Sequence, residues 1–437
     1  MRALLKNNLL PLRGLKVLDM SRVLAGPWCT MMLADHGAAV IKVERPKVGD
    51  ETRSWGPPFV YGDDKNRLST YFLSVNRGKR SLAVDLKKKD GLDIIHRLAV
   101  DWADVIVENF KPGTMEKLGL DYESLSRKNR GLVYCSVTGF GPSGPLSDQP
   151  GYDVIVSGSY GLMSITGSED EPAKTGVALT DVLTGTHAFG GIMTSLYQRE
   201  QTGEGRRVDV SLMESSLSSL VNIASSTLNS PHDWPPPKRW GTAHESIVPY
   251  QAFECKTTTN RDGEDERQHI LVGAGNDLQF QKLCGVLGRP DLANDRRFET
   301  NADRVDNRDE LLRDLKDIFW SKTRDEWVDI LNNNGFPVGP LRTVQEAFDC
   351  EQAKHRGMVE TLDHPVIGQI RLPRTPITFS STGATSSSST PSSSSSVLPP
   401  PMLGEHTAEV LTDILGFDHD DVRRLEKDDT IECWSPI

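Results

Sequence analysis

One aspartate lies where its carboxylate could take part in covalent chemistry. Asp181 follows a polar turn and precedes apolar residues that recur at helical spacing, so it falls at the start of a predicted helix. Free backbone N–H groups and the positive end of the helix dipole would hold a carboxylate ionised there. A fixed, ionised carboxylate is what covalent catalysis on an acyl group needs. The simpler interpretation is that Asp181 only caps the helix, and the local pattern alone favours it.

The elements that would hold such a site are short apolar strands that alternate with helices. Strands are predicted at 15–20, 38–43, 105–108, 132–137 and 208–212, and helices at 27–35 and 91–100. Apolar strands separated by helices predict a parallel sheet covered on both faces, with a ligand crevice at the carboxyl ends of the strands. No G-x-G-x-x-G motif follows the first strand, which weakens a nicotinamide-cofactor interpretation.

Length and composition limit the class of protein. At 437 residues the chain is too long for one compact core, and a second, smaller domain is expected at 228–335. The net charge of −11 argues against nucleic acid as the main partner but permits an anionic small molecule. The six cysteines form no C-x-x-C pair, which indicates free, mostly buried thiols and no zinc site.

Three segments bear on location and surface structure. No apolar stretch reaches the length of a membrane span, so no membrane partner is expected. The first 13 residues are basic and lack acids, which fits an organellar transit segment and a mitochondrial location, with a cytoplasmic location as the alternative. The polar run 257–267 is expected to be a surface loop, and the Ser-rich tract 380–397 a disordered insert.

Six segments, in order along the chain, resemble the class III CoA-transferases (the CaiB/BaiF family). They are 11–27, 40–46, 76–81, 107–113, 136–141 and 175–193. The resemblance implies an α/β fold in which a Rossmann-like, parallel-sheet large domain is built from 1–227 and 336–437 and a smaller α+β domain lies between. It implies an interlocked homodimer, and acyl-CoA and dicarboxylate substrates. It also implies that no cofactor or metal is bound permanently.

The resemblance also assigns roles to residues. Asp181 would be the nucleophile, carrying CoA through an aspartyl anhydride and an aspartyl-CoA thioester. Lys117, in a first-turn setting, would pair with a phosphate of CoA. Some relatives carry lysine at the position of Thr138, so one phosphate or adenine contact is in doubt there. The implied CoA-binding residues are Val23, Leu24, Arg45, Val84, Asp85, Leu86, Lys87, Asn109, Phe110, Lys117, Thr138 and Phe140.

Residues 238–253 resemble the branch of the family that uses dicarboxylates. That branch implies transfer of CoA from succinyl-CoA to glutarate or 3-hydroxy-3-methylglutarate. Four residues would cover the substrate pocket and offer backbone N–H groups to an oxyanion, unless they form only a tight turn: Gly241, Thr242, Ala243 and His244. His244 could also hold the distal carboxylate of the acceptor, or merely cap a turn.

Other functions stay open. Formyl-CoA/oxalate transferases carry a polyglycine loop where this chain has 241–244. Relatives that racemise α-methylacyl-CoA use a histidine base where this chain has Tyr152, and tyrosine is a poor base near neutral pH. A non-catalytic CoA-binding protein would be expected to lack Asp181. The arginine that binds the acceptor is not fixed, and Arg239 and Arg304 are among the candidates.

Overall fold

The computed structural model of the chain describes residues 10–62, 66–231, 233–259, 263, 265–379 and 397–435. They form two compact units. The large unit contains the chain up to Leu162, Lys174–Trp234 and the residues from Glu351 onward, and the small unit contains Met163–Ala173 and Pro235–Cys350. These limits differ from the predicted 228–335 because the strand Val338–Pro340 pairs inside the small unit. The predicted Ser-rich insert lies outside the described residues, except for Val397.

The elements are numbered in chain order. The described strands are β1 Lys16–Met20, β2 Ala39–Glu44, β3 Phe59–Tyr61, β4 Arg67–Ser69, β5 Lys79–Val84, β6 Val105–Glu108, β7 Val133–Thr138, β8 Arg207–Ser211, β9 Tyr250–Glu254, β10 Thr258–Thr259, β11 Asp265–Glu266, β12 His269–Gly273, β13 Val338–Pro340, β14 Val359–His364, β15 Gly368–Pro373 and β16 Ile431–Glu432. The described α-helices are α1 Ala25–Asp35, α2 Thr70–Val75, α3 Lys89–Arg97, α4 Thr114–Leu118, α5 Tyr122–Ser126, α6 Asp153–Ser159, α7 Leu179–Thr202, α8 Leu212–Ser219, α9 Val221–Asn229, α10 Asp277–Val286, α11 Pro290–Ala293, α12 Asn301–Asp306, α13 Arg308–Phe319, α14 Arg324–Asn333, α15 Val344–Asp349, α16 Glu351–His355, α17 Thr407–Glu409 and α18 His419–Lys427.

The main sheet of the large unit has the strand order β16-β5-β2-β1-β6-β7-β8. All neighbours are parallel except β16, which pairs antiparallel with β5 at the edge. The six parallel strands, numbered by their order in the chain, run 3-2-1-4-5-6, so the direction of winding reverses between β1 and β6. A ligand crevice is expected at the carboxyl ends of these two strands. The predicted α/β fold with a large parallel sheet is confirmed.

Helices cover both faces of this sheet. Val17 and Leu18 are adjacent in β1 and point to opposite faces, and neither is exposed. The face of Leu18 packs against α3 and α18, and the face of Val17 packs against α1 and α7. Burial on both faces explains why apolar residues occupy successive positions in these strands, as Val17 and Leu18 do in β1.

The small unit has an antiparallel sheet of order β13-β12-β9, whose inner face packs on α10, α13 and α14. The run 257–267, expected to be a surface loop, carries the paired strands β10 and β11 among its described residues. In the large unit, α1 begins at Ala25, two residues before the predicted start, and β5 was not predicted. None of the helices in the described part of the chain combines the length and apolar content that a bilayer crossing needs.

Candidate active site

Asp181 is the third residue of α7, at the helix start where the sequence placed it. It does not cap the helix. Oδ1 of Asp153, the first residue of α6, accepts hydrogen bonds from the N–H groups of Thr180 at 2.8 Å and of Asp181 at 3.4 Å. The interpretation of Asp181 as only a helix cap is therefore wrong, because Asp153, 28 residues earlier in the chain, caps the start of α7. No side chain among the described residues donates a hydrogen bond to the Asp181 carboxylate.

The Asp181 carboxyl group is difficult to ionise. Burial, and then the negative charge of Asp153, raises the pKa of Asp181 from 3.8 to about 7. The expectation that the helix start would hold this carboxylate ionised is therefore wrong at acidic pH. The reason is that desolvation outweighs the helix terminus, whose N–H groups serve Asp153 instead. Strongly perturbed carboxyl groups of this kind are concentrated at catalytic sites.

Tyr71, the second residue of α2, lies in the electrostatic field of the same carboxylates. Burial, and then the negative charges of Asp181, Asp153 and Asp50, raise the pKa of its phenol. The phenol therefore stays protonated at neutral pH and can donate a hydrogen bond. Its ring packs edge-on against Trp55, with ring centroids 5.0 Å apart. Tyr71 was not predicted from the sequence, because an aromatic residue in a short helix looks like an ordinary core residue.

A glycine allows α1 and α7 to approach closely. A Cβ atom on Gly185, one turn after Asp181, would lie 2.3 Å from the carbonyl oxygen of Ala25 and 3.0 Å from Cδ1 of Trp28. Any other residue at 185 would push the two helices apart. The contact therefore fixes the start of α1, and the turn 21–24 before it, against the helix that carries Asp181.

The residues expected to bind CoA all lie in the large unit. Eleven of them end or follow a parallel strand: Val23 and Leu24 (β1), Arg45 (β2), Val84, Asp85, Leu86 and Lys87 (β5), Asn109 and Phe110 (β6), and Thr138 and Phe140 (β7). Lys117 lies in the last turn of the five-residue α4, so its predicted first-turn setting is wrong. Arg45, Lys87 and Lys117 are exposed. The carboxyl edge of the sheet thus presents the basic side chains of Arg45 and Lys87.

Asn109 joins the loops that follow β1 and β6. Its side-chain oxygen accepts the N–H of Arg22 at 2.8 Å, and its amide nitrogen donates to the Arg22 carbonyl at 2.8 Å. The Arg22 guanidinium lies over the Phe110 ring, 5.6 Å from its centroid. Asn109, in the loop after β6, therefore shapes the crevice between β1 and β6 by holding the backbone of Arg22 in the loop after β1.

The segment 241–244 lies in the small unit, where most of its backbone N–H groups are engaged. Those of Gly241, Ala243 and His244 each donate to a carbonyl oxygen at 2.9 Å. The predicted row of N–H groups offered to an oxyanion is therefore not formed by these three, because they are bonded to the carbonyl oxygens of Gly167, Trp240 and Tyr250. The Thr242 hydroxyl is also engaged, since it accepts the N–H of Ala252 at 3.1 Å.

The His244 ring keeps one nitrogen for donation. Its Nδ1 accepts the N–H of Ser246 at 3.0 Å, which is the turn-capping contact. In the neutral ring the proton must then reside on Nε2. Capping a turn and donating a hydrogen bond are thus compatible for this side chain.

Two of the candidate arginines for the acceptor carboxylate, Arg239 and Arg304, are engaged within the small unit. Arg304 is fully buried, donates to backbone carbonyls and pairs with Asp277 at 2.8 Å. Arg239 donates to two consecutive backbone carbonyls, at 2.8 Å each. Burial excludes Arg304 as the acceptor-binding arginine.

The cysteine thiols and Tyr152 are poorly suited to acyl chemistry. All six cysteines are free, and four are buried. Burial raises the thiol pKa of Cys255 to about 11 and that of Cys284 to about 12. Tyr152 is 61% exposed and immediately precedes α6. Within the described residues, no group of His, Cys, Asp and Glu is arranged to hold a metal ion.

Comparison with known proteins agrees with this geometry. The profile of CoA-transferase family III matches residues 12–407. A succinyl-CoA:glutarate CoA-transferase of Homo sapiens is 43% identical over 413 residues, covering 94% of this chain and 88% of that protein. A succinate–glutarate CoA-transferase of Agrobacterium fabrum is 40% identical, covering 92% of this chain and 96% of its own. A crystal structure of a CAIB/BAIF family protein from Brucella suis superposes with a TM-score of 0.77 at 40% identity, covering 92% and 99% of the two chains. This chain therefore belongs to CoA-transferase family III and is a transferase.

Proposed function

We propose that this enzyme transfers CoA from succinyl-CoA to glutarate, with 3-hydroxy-3-methylglutarate as a second acceptor, and that Asp181 is the covalent carrier. One observation supports the carrier role above others. The Asp181 carboxylate has no hydrogen-bond donor among the described side chains, and its pKa is raised to about 7. The substrate choice is supported by the names of the human and Agrobacterium relatives.

The proposed reaction is a series of acyl transfers. A carboxylate oxygen of Asp181 attacks the thioester carbonyl of succinyl-CoA, the C–S bond breaks, and a mixed anhydride and CoA thiolate form. The thiolate attacks the aspartyl carbonyl, which releases succinate and leaves an aspartyl-CoA thioester. The acceptor carboxylate then attacks this thioester and forms a second anhydride and CoA thiolate. Attack of the thiolate on the acceptor carbonyl gives the new acyl-CoA and restores Asp181.

Two features of the site suit this sequence. The burial that raises the pKa of Asp181 also limits access of water, which would hydrolyse an anhydride. The protonated Tyr71 phenol is a donor that could stabilise negative charge developing near Asp181. We assign Tyr71 this electrostatic role rather than that of a base.

Trapping the covalent intermediate tests the carrier role. Wild type mixed with succinyl-CoA and no acceptor should gain the mass of CoA less one water on the peptide that contains Asp181. Asp181→Asn should not gain it and should lose exchange activity, while Asp101→Asn, at an exposed position of the same unit, should behave as wild type. A CoA adduct on another residue, or substantial exchange by Asp181→Asn, would refute the assignment.

We propose further that His244 contributes to the choice of acceptor. The support is the resemblance of 238–253 to the dicarboxylate-using branch, together with the Nε2 proton that the Ser246 contact leaves on the ring. The measurement is the ratio of rates with glutarate and oxalate, in wild type and in His244→Ala. Preference of the wild type for oxalate would favour the oxalate-type alternative. An unchanged ratio in the variant would remove His244 from acceptor selection.

We propose that the active form is a homodimer. The helix α9 supports this, because it contains no buried residue although it carries apolar side chains. Val221 is 71% exposed and Leu228 is 82% exposed. Apolar side chains left uncovered on one helix are typical of a surface that packs against another chain. A second copy of this chain is the partner that the family resemblance implies.

We propose a mitochondrial location, on the basis of the basic, acid-free composition of the first 13 residues. Fusion of these residues to a fluorescent protein should direct it to mitochondria. A diffuse cytoplasmic signal would favour the alternative location.

A further inference from the structure

The turn that connects β1 to α1 contains a strained residue. Val23 has a φ of 71°, in the left-handed region. A β-branched residue is a clear outlier there, because its Cβ substituents crowd the backbone. Such a conformation persists only when surrounding contacts enforce it, and it is found most often at functional sites. Val23 is also one of the residues expected to contact CoA.

Each of three consecutive residues in this turn is held by a side chain from elsewhere in the large unit. Nζ of Lys42 donates to the Ser21 carbonyl at 2.8 Å, and the Asn109 amide holds both backbone groups of Arg22. The N–H of Val23 donates to both carboxylate oxygens of Asp50, at 3.2 and 3.3 Å. The left-handed residue is therefore held by a carboxylate.

Lys42 and Asp50 form a buried ion pair. Lys42 Nζ lies 2.9 Å from Asp50 Oδ2, and neither side chain is exposed. Burial opposes ionisation of Asp50, but the Lys42 ammonium and the hydrogen bonds from Thr52 bring its pKa below the usual value. Burial likewise opposes the charge on Lys42, and the carboxylates around it, Asp50 first, bring its pKa above the usual value. Both groups are therefore charged at neutral pH.

Asp50 is itself held in place by hydrogen bonds to neighbouring residues of the large unit. Its backbone N–H donates to Oε2 of Glu44 at 3.0 Å, and Glu44 is clamped by two bonds of 2.7 Å from Arg53. The Thr52 hydroxyl donates to Asp50 Oδ1 at 2.8 Å. A carboxylate held at so many points cannot follow the turn if the turn relaxes.

We propose that Asp50 and Lys42 are positioning residues that hold Val23 in its left-handed conformation, so that the turn 21–24 presents the surface that binds the acyl-CoA. The inference rests on the proposed function, since it takes Val23 and Leu24 as CoA contacts. Neither Asp50 nor Lys42 was recognised from the sequence. Both act through the turn and not on the substrate.

A double-mutant cycle with Val23→Gly tests the proposal. Asp50→Asn keeps an oxygen acceptor but loses the charge, so Val23 should relax and the KM for succinyl-CoA should rise roughly tenfold, in line with the strain of one left-handed residue. Glycine adopts positive φ without strain. Val23→Gly also removes a side chain expected to contact CoA, so its own KM is the reference for the second half of the cycle. Relative to Val23→Gly alone, Asp50→Asn should raise KM no more than about threefold in the glycine background.

A merely structural role predicts a different pattern. Asp35→Asn removes another buried carboxylate of the large unit, which pairs with Arg77 at 2.6 Å, and should lower the unfolding midpoint without changing KM. If Asp50→Asn yields too little folded protein, Thr52→Val removes one hydrogen bond to the carboxylate and should raise KM by a smaller factor that Val23→Gly again abolishes.

Calorimetric binding of CoA to the same proteins separates this inference from the proposed function. If wild type neither binds CoA nor transfers it, the proposed function fails and the inference fails with it. If wild type binds and transfers CoA, but Asp50→Asn leaves KM unchanged or raises it equally in both backgrounds, only the positioning role is overturned. Suppression of the KM effect by Val23→Gly supports it.

Discussion

Replacing the proposed nucleophile should stabilise the protein at alkaline pH. The pKa of Asp181 is about 7 in the folded protein, against an ordinary value of 3.8. Between these values the folded state keeps a proton that the unfolded state has lost. The free energy of unfolding therefore falls as pH rises from about 4 to about 7 and is level above that range. Asp181→Asn lacks the buried charge and should escape this loss.

The size of the effect follows from the two pKa values. Each pKa unit of difference corresponds to about 1.36 kcal/mol. At pH 8 the wild type loses about 4 kcal/mol to ionisation of Asp181, and at pH 5 it loses about 1.6 kcal/mol. The advantage of Asp181→Asn over wild type should therefore grow by about 2–3 kcal/mol between pH 5 and pH 8.

Urea denaturation at the two pH values measures this difference directly. Asp35→Asn is the control, because it breaks a buried ion pair with Arg77 and should lower stability at both pH values. A variant at 181 that is less stable than wild type at pH 8, or whose advantage does not change with pH, would show that Asp181 is not a carboxyl group that burial makes difficult to ionise.

The other predictions concern activity and assembly. The value of kcat/KM should rise with pH to a plateau with an apparent pKa near 7. Asp153→Asn should move this midpoint to lower pH, because it removes the adjacent charge while keeping an acceptor for the Thr180 N–H. A midpoint that does not move would show that Asp153 does not raise the pKa of Asp181. Tyr71→Phe should lower kcat by roughly tenfold with little change in KM, as expected for loss of one hydrogen bond to a charged group, and unchanged kcat would contradict its role. Leu228→Glu should shift the sedimentation of the enzyme from dimer to monomer, whereas an intact dimer would exclude α9 from the interface.

The parts of the fold that could be predicted are those whose burial is apolar. The strands β1, β2, β6 and β7 were recognised because apolar side chains occur on both faces and outnumber buried polar ones such as Lys42 in β2. β5 was missed because its first three residues, Lys79–Ser81, are all polar, although Lys79 lies fully buried and pairs with Asp19 at 3.0 Å. Hydropathy alone predicts that a lysine is exposed, so it cannot identify a lysine that is buried and paired.

For the candidate site, the position of Asp181 could be predicted from the sequence, but the groups that set its pKa could not. The helix start at Asp181 could be read from local periodicity, but its electrostatics depend on Asp153, which only the packing of α6 brings near. Asp153 was not predicted as a site residue, although its neighbour Tyr152 was compared with the histidine base of the racemising relatives. The turn contacts of Lys42 and Asp50 could likewise not be predicted, because they join residues 21 to 27 positions apart.

The position of β16 in the main sheet has a consequence for the order of folding during synthesis. Ile431 pairs with Val84, so the edge of the large sheet cannot close until almost the whole chain has left the ribosome. The small unit is nearly continuous, with most of it in Pro235–Cys350, and its three-stranded sheet uses only residues that emerge earlier. Domains generally fold as units as they emerge, and distant pairings form late. The small unit should therefore be the first to resist proteolysis on stalled ribosomes, while the unit that carries Asp181 matures last.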